Sequence, residues 1–346
     1  MGRSAGGVVV RDVGRPILRT RAPVSPAGDL QVVPCKVHKG CRYEVLRMDA
    51  VGAPGKEKAR KGTVVVVPGN PGAITFYRDF MERLHGRMGG GVSVVGVGYL
   101  GHGRSEGLAP FGRTFDLEEQ EQHVARFLEA EARRSGRPVH AVGHSIGCHL
   151  ILHALNVVGD SLGQVEMLMP FIYLNKRDRT QRRIHRLIRL PLLKLAVAAL
   201  AGVVRLLPPW AQLAVMRSHA KGMGENGLRE LCPTMVRFGA VFNFLVLGSH
   251  EFACFKRRDE EDRKLGGRGE ALLNWGVLKA LGKAGRVGLS YARDDHWAPL
   301  WQAEDITIRT DLSYDVVAGV SHDFVTKLDE SIMVADHLFD ARRLHD

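Results

Sequence analysis

The chain has 346 residues, 45% of them hydrophobic and 25% charged, which excludes a generally disordered chain, a collagen-like repeat and a disulfide-rich scaffold. This length suits one α/β catalytic domain with an insertion. The net charge of +12 favours anionic surroundings. Because the basic residues are not interleaved with an aromatic stacking platform, we expect a lipid surface as partner and no nucleic acid.

The cysteines and the N-terminus bear on where the protein resides. The five cysteines are odd in number and lack C-x-x-C spacing, which indicates a reducing compartment. Residues 1–28 combine prolines with many arginines, and we expect a disordered basic extension there. The extension lacks the apolar core of a signal peptide, and an organellar transit peptide is the alternative.

Short β-branched runs alternate with helical patterns over residues 29–346, which predicts an α/β fold with a mostly parallel sheet flanked by helices. The wholly apolar runs Val64–Val67 and Val94–Val97 suit central strands that are buried on both faces. The expected strands lie near 30–34, 43–48, 63–67, 92–98, 138–142, 165–169, 287–291 and 314–318.

Helical patterns fill the intervals between these strands. In one of them Asp116 can cap the N-terminus, while Arg133 and Arg134 lie at the C-terminal end, where positive charge is stabilising. Residues 175–268 show helical periodicity without strands, which predicts a helical lid inserted into the sheet domain. Outside the lid, the expected helices lie near 73–87, 116–134, 146–158, 270–283 and 324–344.

The sequence Gly143-His144-Ser145-Ile146-Gly147 joins a predicted strand to a predicted helix. The pattern G-x-S-x-G in this context is typical of a nucleophile elbow, a strained turn that exposes its serine above the sheet. Ser145 is therefore the predicted nucleophile, and a glycine-rich turn without chemistry is the alternative. We assign His144 a structural role, because it precedes the serine in the chain.

The segment Pro68-Gly69-Asn70-Pro71-Gly72 directly follows the third predicted strand. Beside a nucleophile elbow, the oxyanion hole is made by the N–H of the residue after the serine and by an N–H of this loop. These groups would belong to Ile146 and Asn70, with a plain turn as the alternative. The glycines match neither a dinucleotide fingerprint nor a phosphate loop, and we expect no cofactor and no metal.

The acid and the base of a catalytic triad should follow the serine in chain order. His322 follows the last predicted strand and precedes an amphipathic segment, which predicts that it is the base. A helix-capping or surface histidine is the alternative. The loop after the seventh strand contains Asp294 and Asp295, and we choose Asp295 as the acid, with Asp294 as the second candidate.

These motifs together resemble the lipid droplet-associated serine hydrolases of the α/β-hydrolase superfamily. The similarity spans about residues 63–342 and rests on Pro68–Gly72 with Phe76-Tyr77, Gly143–Gly147, Tyr291–Trp297 and Ser321–Val325. It implies an α/β-hydrolase fold, esterase or lipase chemistry on lipid esters, and association with lipid droplets and the endoplasmic reticulum. Transferred to this sequence, the triad of the family falls on Ser145, Asp295 and His322.

Some positions depart from the pattern of this family. The loop Gly101–Gly107 is closer to that of monoacylglycerol lipases, which leaves both sterol esters and acylglycerols open as substrates. Ala292 and His296 stand where glycine and proline are expected. Within the lid, the apolar stretch Ile184–Leu207 is interrupted by Pro191 and charged residues, which favours an amphipathic segment at a lipid surface over a clean membrane span. Helices that pack over the active site of a soluble enzyme are the alternative.

The motifs therefore predict a serine hydrolase that works through an acyl-enzyme, without an obligate protein partner. The family resemblance implies carboxylic esters of lipids as its substrates, at the cytosolic face of lipid droplets and the endoplasmic reticulum. An acyltransferase or a thioesterase could use the same triad. A droplet-surface scaffold with feeble turnover is a further alternative, because fold does not fix function. Dehalogenase and epoxide hydrolase chemistry is disfavoured, since the elbow carries Ser145 where those enzymes need an aspartate.

Overall fold

The computed structural model of the protein describes residues 28–38, 40–50, 62–104, 113–220, 222–264 and 275–341. Several predictions fall outside this part of the chain. They concern the basic extension up to residue 27, residues 105–107 of the glycine-rich loop, the end of the lid at 265–268, the start of the ninth helix at 270–274, and residues 342–344.

One sheet forms the centre of the described chain. Its strands are β1 (Asp29–Pro34), β2 (Arg42–Met48), β3 (Thr63–Val67), β4 (Ser93–Val97), β5 (Val139–His144), β6 (Leu162–Leu168), β7 (Val287–Ala292) and β8 (Asp315–Val317). They lie in the order β1-β2-β4-β3-β5-β6-β7-β8. The pairs β1–β2 and β2–β4 are antiparallel and all the others are parallel. The mostly parallel sheet and its eight predicted strands are confirmed.

The helices of the described chain are α1 (Arg78–Arg87), α2 (Leu117–Ser135), α3 (Ile146–Val158), α4 (Arg179–Ile188), α5 (Pro191–Arg205), α6 (Pro209–His219), α7 (Glu225–Thr234), α8 (Phe238–Lys264), α9 (Trp275–Lys283), α10 (Leu300–Thr310) and α11 (Leu328–Asp340). The capping prediction for α2 is confirmed. Asp116 accepts a hydrogen bond from the Glu119 N–H at 2.8 Å, and the Glu119 carboxylate accepts one from the Asp116 N–H at 3.0 Å.

Three helix predictions need correction. The first helix begins as a 3₁₀ turn, Ile74–Tyr77, before α1, and the last is divided because Lys327 is extended, with φ −129° and ψ 123°. The sequence pattern gave no indication of α10. Its β-branched residues lower helix propensity, and the helix is stabilised instead by burial of its inner face, which includes Ala303 and Ile306.

The sheet brings the predicted site residues to one edge. Strands β3 and β4 are buried along their whole length, as their apolar sequences predict. Asn70 follows β3, Ser145 follows β5, Asp295 follows β7 and His322 follows β8. Because parallel strands end at the same edge of a sheet, all four loops open on one side, where α/β proteins place their ligand sites.

The segment between β6 and β7 contains α4 to α9, of which α4 to α8 lie in the region predicted as a lid. The helix axis bends by 88° between α4 and α5, just before Pro191, so this stretch does not form one straight span. Among the described helices, only Phe238–Glu261 of α8 is long and apolar enough by itself to cross a membrane by length and composition. Its residues Leu247, Phe252 and Phe255 are buried in the protein.

A buried ion pair connects β2 to α2 on one face of the sheet. Arg47 donates two hydrogen bonds to the Glu131 carboxylate, at 2.6 and 3.2 Å. Each side chain is 9% exposed. A charge that loses its partner in such a position is costly, because water cannot replace the lost hydrogen bonds.

We expect Glu131→Ala to lower the free energy of unfolding by about 3 kcal/mol, because the buried Arg47 would keep its charge with only the half-exposed Asp49 near it, at 3.9 Å. Urea denaturation measures the change. The control is Arg126→Ala, which removes a 64% exposed side chain of the same helix and should leave the denaturation midpoint unchanged. Equal effects of the two variants would show that the Arg47–Glu131 pair does not stabilise the fold.

Candidate active site

Ser145 occupies a strained turn between β5 and α3. Its φ is 53° and its ψ −123°, a backbone conformation that residues other than glycine rarely adopt. Two backbone hydrogen bonds hold the residue in place: its N–H donates to the Leu168 carbonyl at 3.0 Å, and its carbonyl accepts from the Phe171 N–H at 3.1 Å. The end of β6 therefore stabilises the turn that presents the serine.

The glycines around Ser145 are required by close backbone approach. A Cβ atom on Gly147 would lie 2.4 Å from the Val67 carbonyl oxygen and 2.5 Å from that of Pro68. One on Gly69 would lie 2.9 Å from the Ser145 Cβ, and one on Gly143 would lie 2.9 Å from the Cys148 backbone. These contacts are shorter than side chains tolerate, so the elbow and the loop after β3 fit together only with glycine at these positions.

The structure brings Ser145, His322 and Asp295 into one hydrogen-bonded line. The Ser145 hydroxyl donates to His322 Nε2 at 2.9 Å, and His322 Nδ1 donates to Asp295 Oδ2 at 2.6 Å. The other carboxylate oxygen of Asp295 accepts from the Trp297 N–H at 2.7 Å. Asp294 is exposed, whereas Asp295 is buried. Of the two aspartates considered for the acid, Asp295 is the one that contacts the histidine.

The environment of Asp295 favours its ionised form. Burial by itself raises the pKa of a carboxyl group, but here the charge and hydrogen bond of His322 act in the opposite direction, together with backbone N–H groups of Ala298 and Trp297. The net effect lowers the pKa of Asp295 below its usual value. A negative charge is thus held next to Nδ1 of His322, which fixes the tautomer with a free lone pair on Nε2.

His144 has a structural role in the described site. The Tyr77 hydroxyl accepts a hydrogen bond from the Gly69 N–H at 2.7 Å and donates one to His144 Nδ1 at 2.6 Å. Burial, helped by the nearby His322, lowers the pKa of His144 to about 3, which leaves it neutral. His144 therefore connects the elbow to the loop after β3 through Tyr77, as a hydrogen-bond acceptor.

The predicted oxyanion groups lie on two sides of Ser145. Ile146 is the first residue of α3, and the first N–H groups of a helix have no acceptor within the helix. Asn70 directly follows Gly69, the residue that approaches the Ser145 Cβ so closely. Both backbone N–H groups are thus carried by segments adjacent to the serine, one at the positive end of the α3 dipole.

Two residues that follow β4 fix the Pro68–Gly72 loop through three hydrogen bonds. The Tyr99 N–H donates to the Gly72 carbonyl at 3.0 Å, and the Tyr99 hydroxyl donates to the Pro68 carbonyl. His102 Nδ1 donates to the Pro71 carbonyl at 2.5 Å. Burial lowers the pKa of His102 to about 4, so it is a neutral donor. His102, in the glycine-rich loop after β4, therefore holds the Pro68–Gly72 loop in place.

Sequence reasoning did not assign these supporting roles to Tyr77, Tyr99 or His102. The pair Phe76-Tyr77 belongs to the family resemblance, and this was the available signal for Tyr77. Tyr99 and His102 carried no such signal. Among the described residues, no group of three or more His, Cys, Asp or Glu side chains could hold a metal ion.

The profile of the family described as lipid-droplet associated hydrolase matches residues 60–325, well over half of the chain. The chain belongs to this family. The family resemblance predicted from the motifs is thereby confirmed, and the matched range contains the elbow, the loop after β3, the acid loop and His322.

Individual relatives match parts of the chain. The lipid droplet-associated hydrolase of Dictyostelium discoideum is 31% identical over 101 residues, which are 27% of this chain and 32% of that protein. The one of Gallus gallus is 24% identical over 209 residues, which are 56% of this chain and 63% of that protein. The matched segments therefore span about a third and somewhat under two thirds of these relatives.

Solved structures establish the fold. A haloalkane dehalogenase from Bradyrhizobium elkani aligns with a TM-score of 0.63 at 12% identity, over 91% of this chain and 99% of that one. An epoxide hydrolase from Vigna radiata aligns with a TM-score of 0.59 at 14% identity, over 92% and 98%. The thioesterase domain from the curacin biosynthetic pathway gives 0.56 at 12%, over 91% and 100%. The chain has the α/β-hydrolase fold, as the sequence predicts.

The close packing at the elbow makes a prediction about glycine replacements. We expect Gly147→Ala to destabilise the protein by about 1–3 kcal/mol, because its methyl group would overlap two backbone carbonyl oxygens. Gly86→Ala is the matched control: its methyl group meets nothing within 4 Å inside α1, so it should stabilise by about 0.5–1 kcal/mol. Thermal unfolding measures both. A neutral Gly147→Ala would contradict the tight fit of the elbow.

Proposed function

We propose that the protein is a serine hydrolase that cleaves carboxylic esters of lipids, with Ser145 as nucleophile, His322 as base and Asp295 as acid. The observation that carries this proposal is the unbroken hydrogen-bonded line from the Ser145 hydroxyl through His322 to Asp295, located at a strained elbow. The family to which the chain belongs supports a hydrolase acting on a lipid.

In the proposed reaction, Ser145 Oγ attacks the ester carbonyl carbon while its proton passes to His322 Nε2. The carbonyl oxygen becomes an oxyanion that accepts hydrogen bonds from the N–H groups of Ile146 and Asn70. His322 then gives its proton to the departing alkoxide as the C–O bond breaks, which leaves the acyl group on Ser145. A water molecule attacks the acyl carbon, its proton goes to His322, and the proton returns to Ser145 as the acid leaves.

Each proposed role has a physical basis in the site. The ionised Asp295 stabilises the imidazolium that forms on His322, and it also keeps the lone pair of Nε2 directed at the serine. His144 and His102 stay neutral, so they do not compete for the serine proton. The elbow carries a serine, which separates this site from the dehalogenases and epoxide hydrolases that share its fold, because their chemistry requires an aspartate there.

We expect labelling by a fluorophosphonate probe to be lost in Ser145→Ala, because no activated hydroxyl remains. Asp295→Asn should lower the rate of labelling and of ester hydrolysis by about a thousandfold or more, since the histidine would lose its charged partner. Asp294→Asn is the matched control and should behave as wild type, because Asp294 is exposed.

The measurement uses purified protein, gel fluorescence for the probe, and release of fatty acid from esters of increasing chain length. Labelling that persists in Ser145→Ala would place the nucleophile elsewhere. Folded wild-type protein that neither reacts with the probe nor hydrolyses any ester would contradict the proposal and favour a scaffold on the lipid surface.

We also propose that the outer face of the lid binds the surface of a lipid droplet. This outer lid face consists of the exposed apolar residues Leu192, Leu195, Leu200, Val203, Leu206 and Trp210. Leu206 is 84% and Leu192 79% exposed, values that are costly in water and favourable in an acyl layer. Five arginines of α4 and its C-terminal end are exposed beside this face, where they could reach anionic headgroups: Arg179, Arg182, Arg183, Arg186 and Arg189.

We expect the double change Leu200→Glu with Leu206→Glu to reduce binding to artificial droplets of triacylglycerol and phospholipid at least tenfold, because each leucine contributes about 1.5–3 kcal/mol on full burial. Flotation measures the bound fraction. Val157→Glu with Ile308→Glu is the matched control, since both of these residues are exposed apolar positions outside the lid. Equal losses in both double variants would contradict a specific lid surface.

A further inference from the structure

The inner face of the lid contacts the proposed oxyanion loop through the Asn70 side chain. The Asn70 Nδ2 donates to the Phe244 carbonyl of α8 at 3.2 Å, and a Cβ atom on Gly248 would lie 3.6 Å from the same nitrogen. The Asn70 side chain also interacts with the carboxyl group of Glu251. Residues 244, 248 and 251 lie on one stripe of the helix, so this stripe of α8 covers the loop.

Glu251 is an unusual residue for this position. It is 5% exposed, and within the described part of the chain no basic side chain pairs with it: its carboxyl group interacts with Asn70 and with Tyr99. Among the described residues, Glu251 Oε1 and Asn70 Oδ1 are both buried without a hydrogen-bond partner. An ionised carboxylate can only accept hydrogen bonds from the Asn70 amide, whereas a protonated carboxyl group also offers a donor. Glutamine would offer the same donor and acceptor pair.

Burial raises the pKa of Glu251 to about 8, and its hydrogen bond with Asn70 opposes only part of this rise. The carboxyl group is therefore neutral at and below pH 7. Tyr99, which interacts with Glu251 from the loop after β4, has a pKa raised well above 10 and also stays neutral. The other titratable groups that pack against α8 contact residues other than Glu251. His185 of α4 stacks on Phe252, and Lys194 of α5 donates a hydrogen bond to Ser249. His149 of α3, which is paired with Glu121 of α2, contacts Arg258.

We propose that Glu251 is a positioning residue for the oxyanion hole, acting through Asn70. When α8 is seated, the neutral carboxyl group and the Phe244 carbonyl hold the Asn70 side chain, and this fixes the direction of the backbone N–H on the same residue. The oxyanion hole is thus completed by the lid. This inference rests on the proposed function for its catalytic meaning, but the contact between lid and loop can be tested without turnover.

The structural test uses the Ser145→Ala background, in which no reaction occurs. Glu251→Leu keeps the volume and removes the hydrogen bonds, so the amides of Gly69, Asn70 and Gly72 should exchange with deuterium at least tenfold faster. Glu251→Gln should exchange like the parent, as should the control Glu260→Gln, an exposed glutamate of the same helix. Unchanged exchange in folded Glu251→Leu would overturn the proposal, whatever the activity of the enzyme.

The kinetic test uses the active enzyme and an ester that it hydrolyses. Glu251→Leu should lower kcat about tenfold or more with KM within about threefold, because an oxyanion donor acts in the transition state. Glu251→Gln should restore kcat. In wild type, kcat should fall as the pH rises through 8, because ionisation of Glu251 places an unpaired negative charge between α8 and the loop that carries Asn70. Glu251→Gln should lack this fall. A Glu251→Leu enzyme with normal kcat while Ser145 still reacts with the probe would overturn the positioning role and leave the proposed function intact.

Discussion

The left-handed backbone of Ser145 is the constraint on which the rest of the site depends. A serine with φ 53° is strained, and backbone hydrogen bonds stabilise it: its N–H donates to Leu168 at the end of β6, and its carbonyl accepts from Phe171 just after β6. The turn also brings the start of α3 against the end of β3, so Gly147 and Gly69 can carry no side chain. The order of β3, β5 and β6 in the sheet is what places the three partners of this turn next to one another.

The electrostatics of the site follow from the same packing. Burial keeps His144 and His102 neutral, and each then serves as a fixed hydrogen-bonding group for the loop after β3. Asp295 is buried as well, yet its pKa is lowered, because His322 and two backbone N–H groups compensate its charge. Burial thus accompanies neutral histidines but an ionised aspartate. The difference lies in whether a partner of opposite charge is present.

The sequence was sufficient for the sheet, for the family and for the choice of Ser145 and His322 as neighbours, because each of these has a local pattern. The apolar runs predicted β3 and β4, and chain order narrowed the histidines to His322. Chain order left Asp294 and Asp295 open, and only burial and direction separate them in the structure. The helix α10 was missed because tertiary burial, not propensity, stabilises it. Glu251 could not be found either, since its partner Asn70 is 181 residues away in the chain.

The lid faces two environments, and its composition reflects both. Its inner helix α8 contributes Phe252, Phe255 and Glu251 to the interior, while α5 and the turn before α6 expose leucines to water. An exposed leucine surface is stabilised by contact with an acyl layer, whereas the buried Glu251 is stable only where the oxyanion loop receives it. On the proposed function, these two contacts belong to different faces of the lid: α5 and the turn before α6 would bind the lipid surface, while α8 holds the Asn70 side chain. Binding the surface and completing the oxyanion hole would therefore depend on different residues of one insertion.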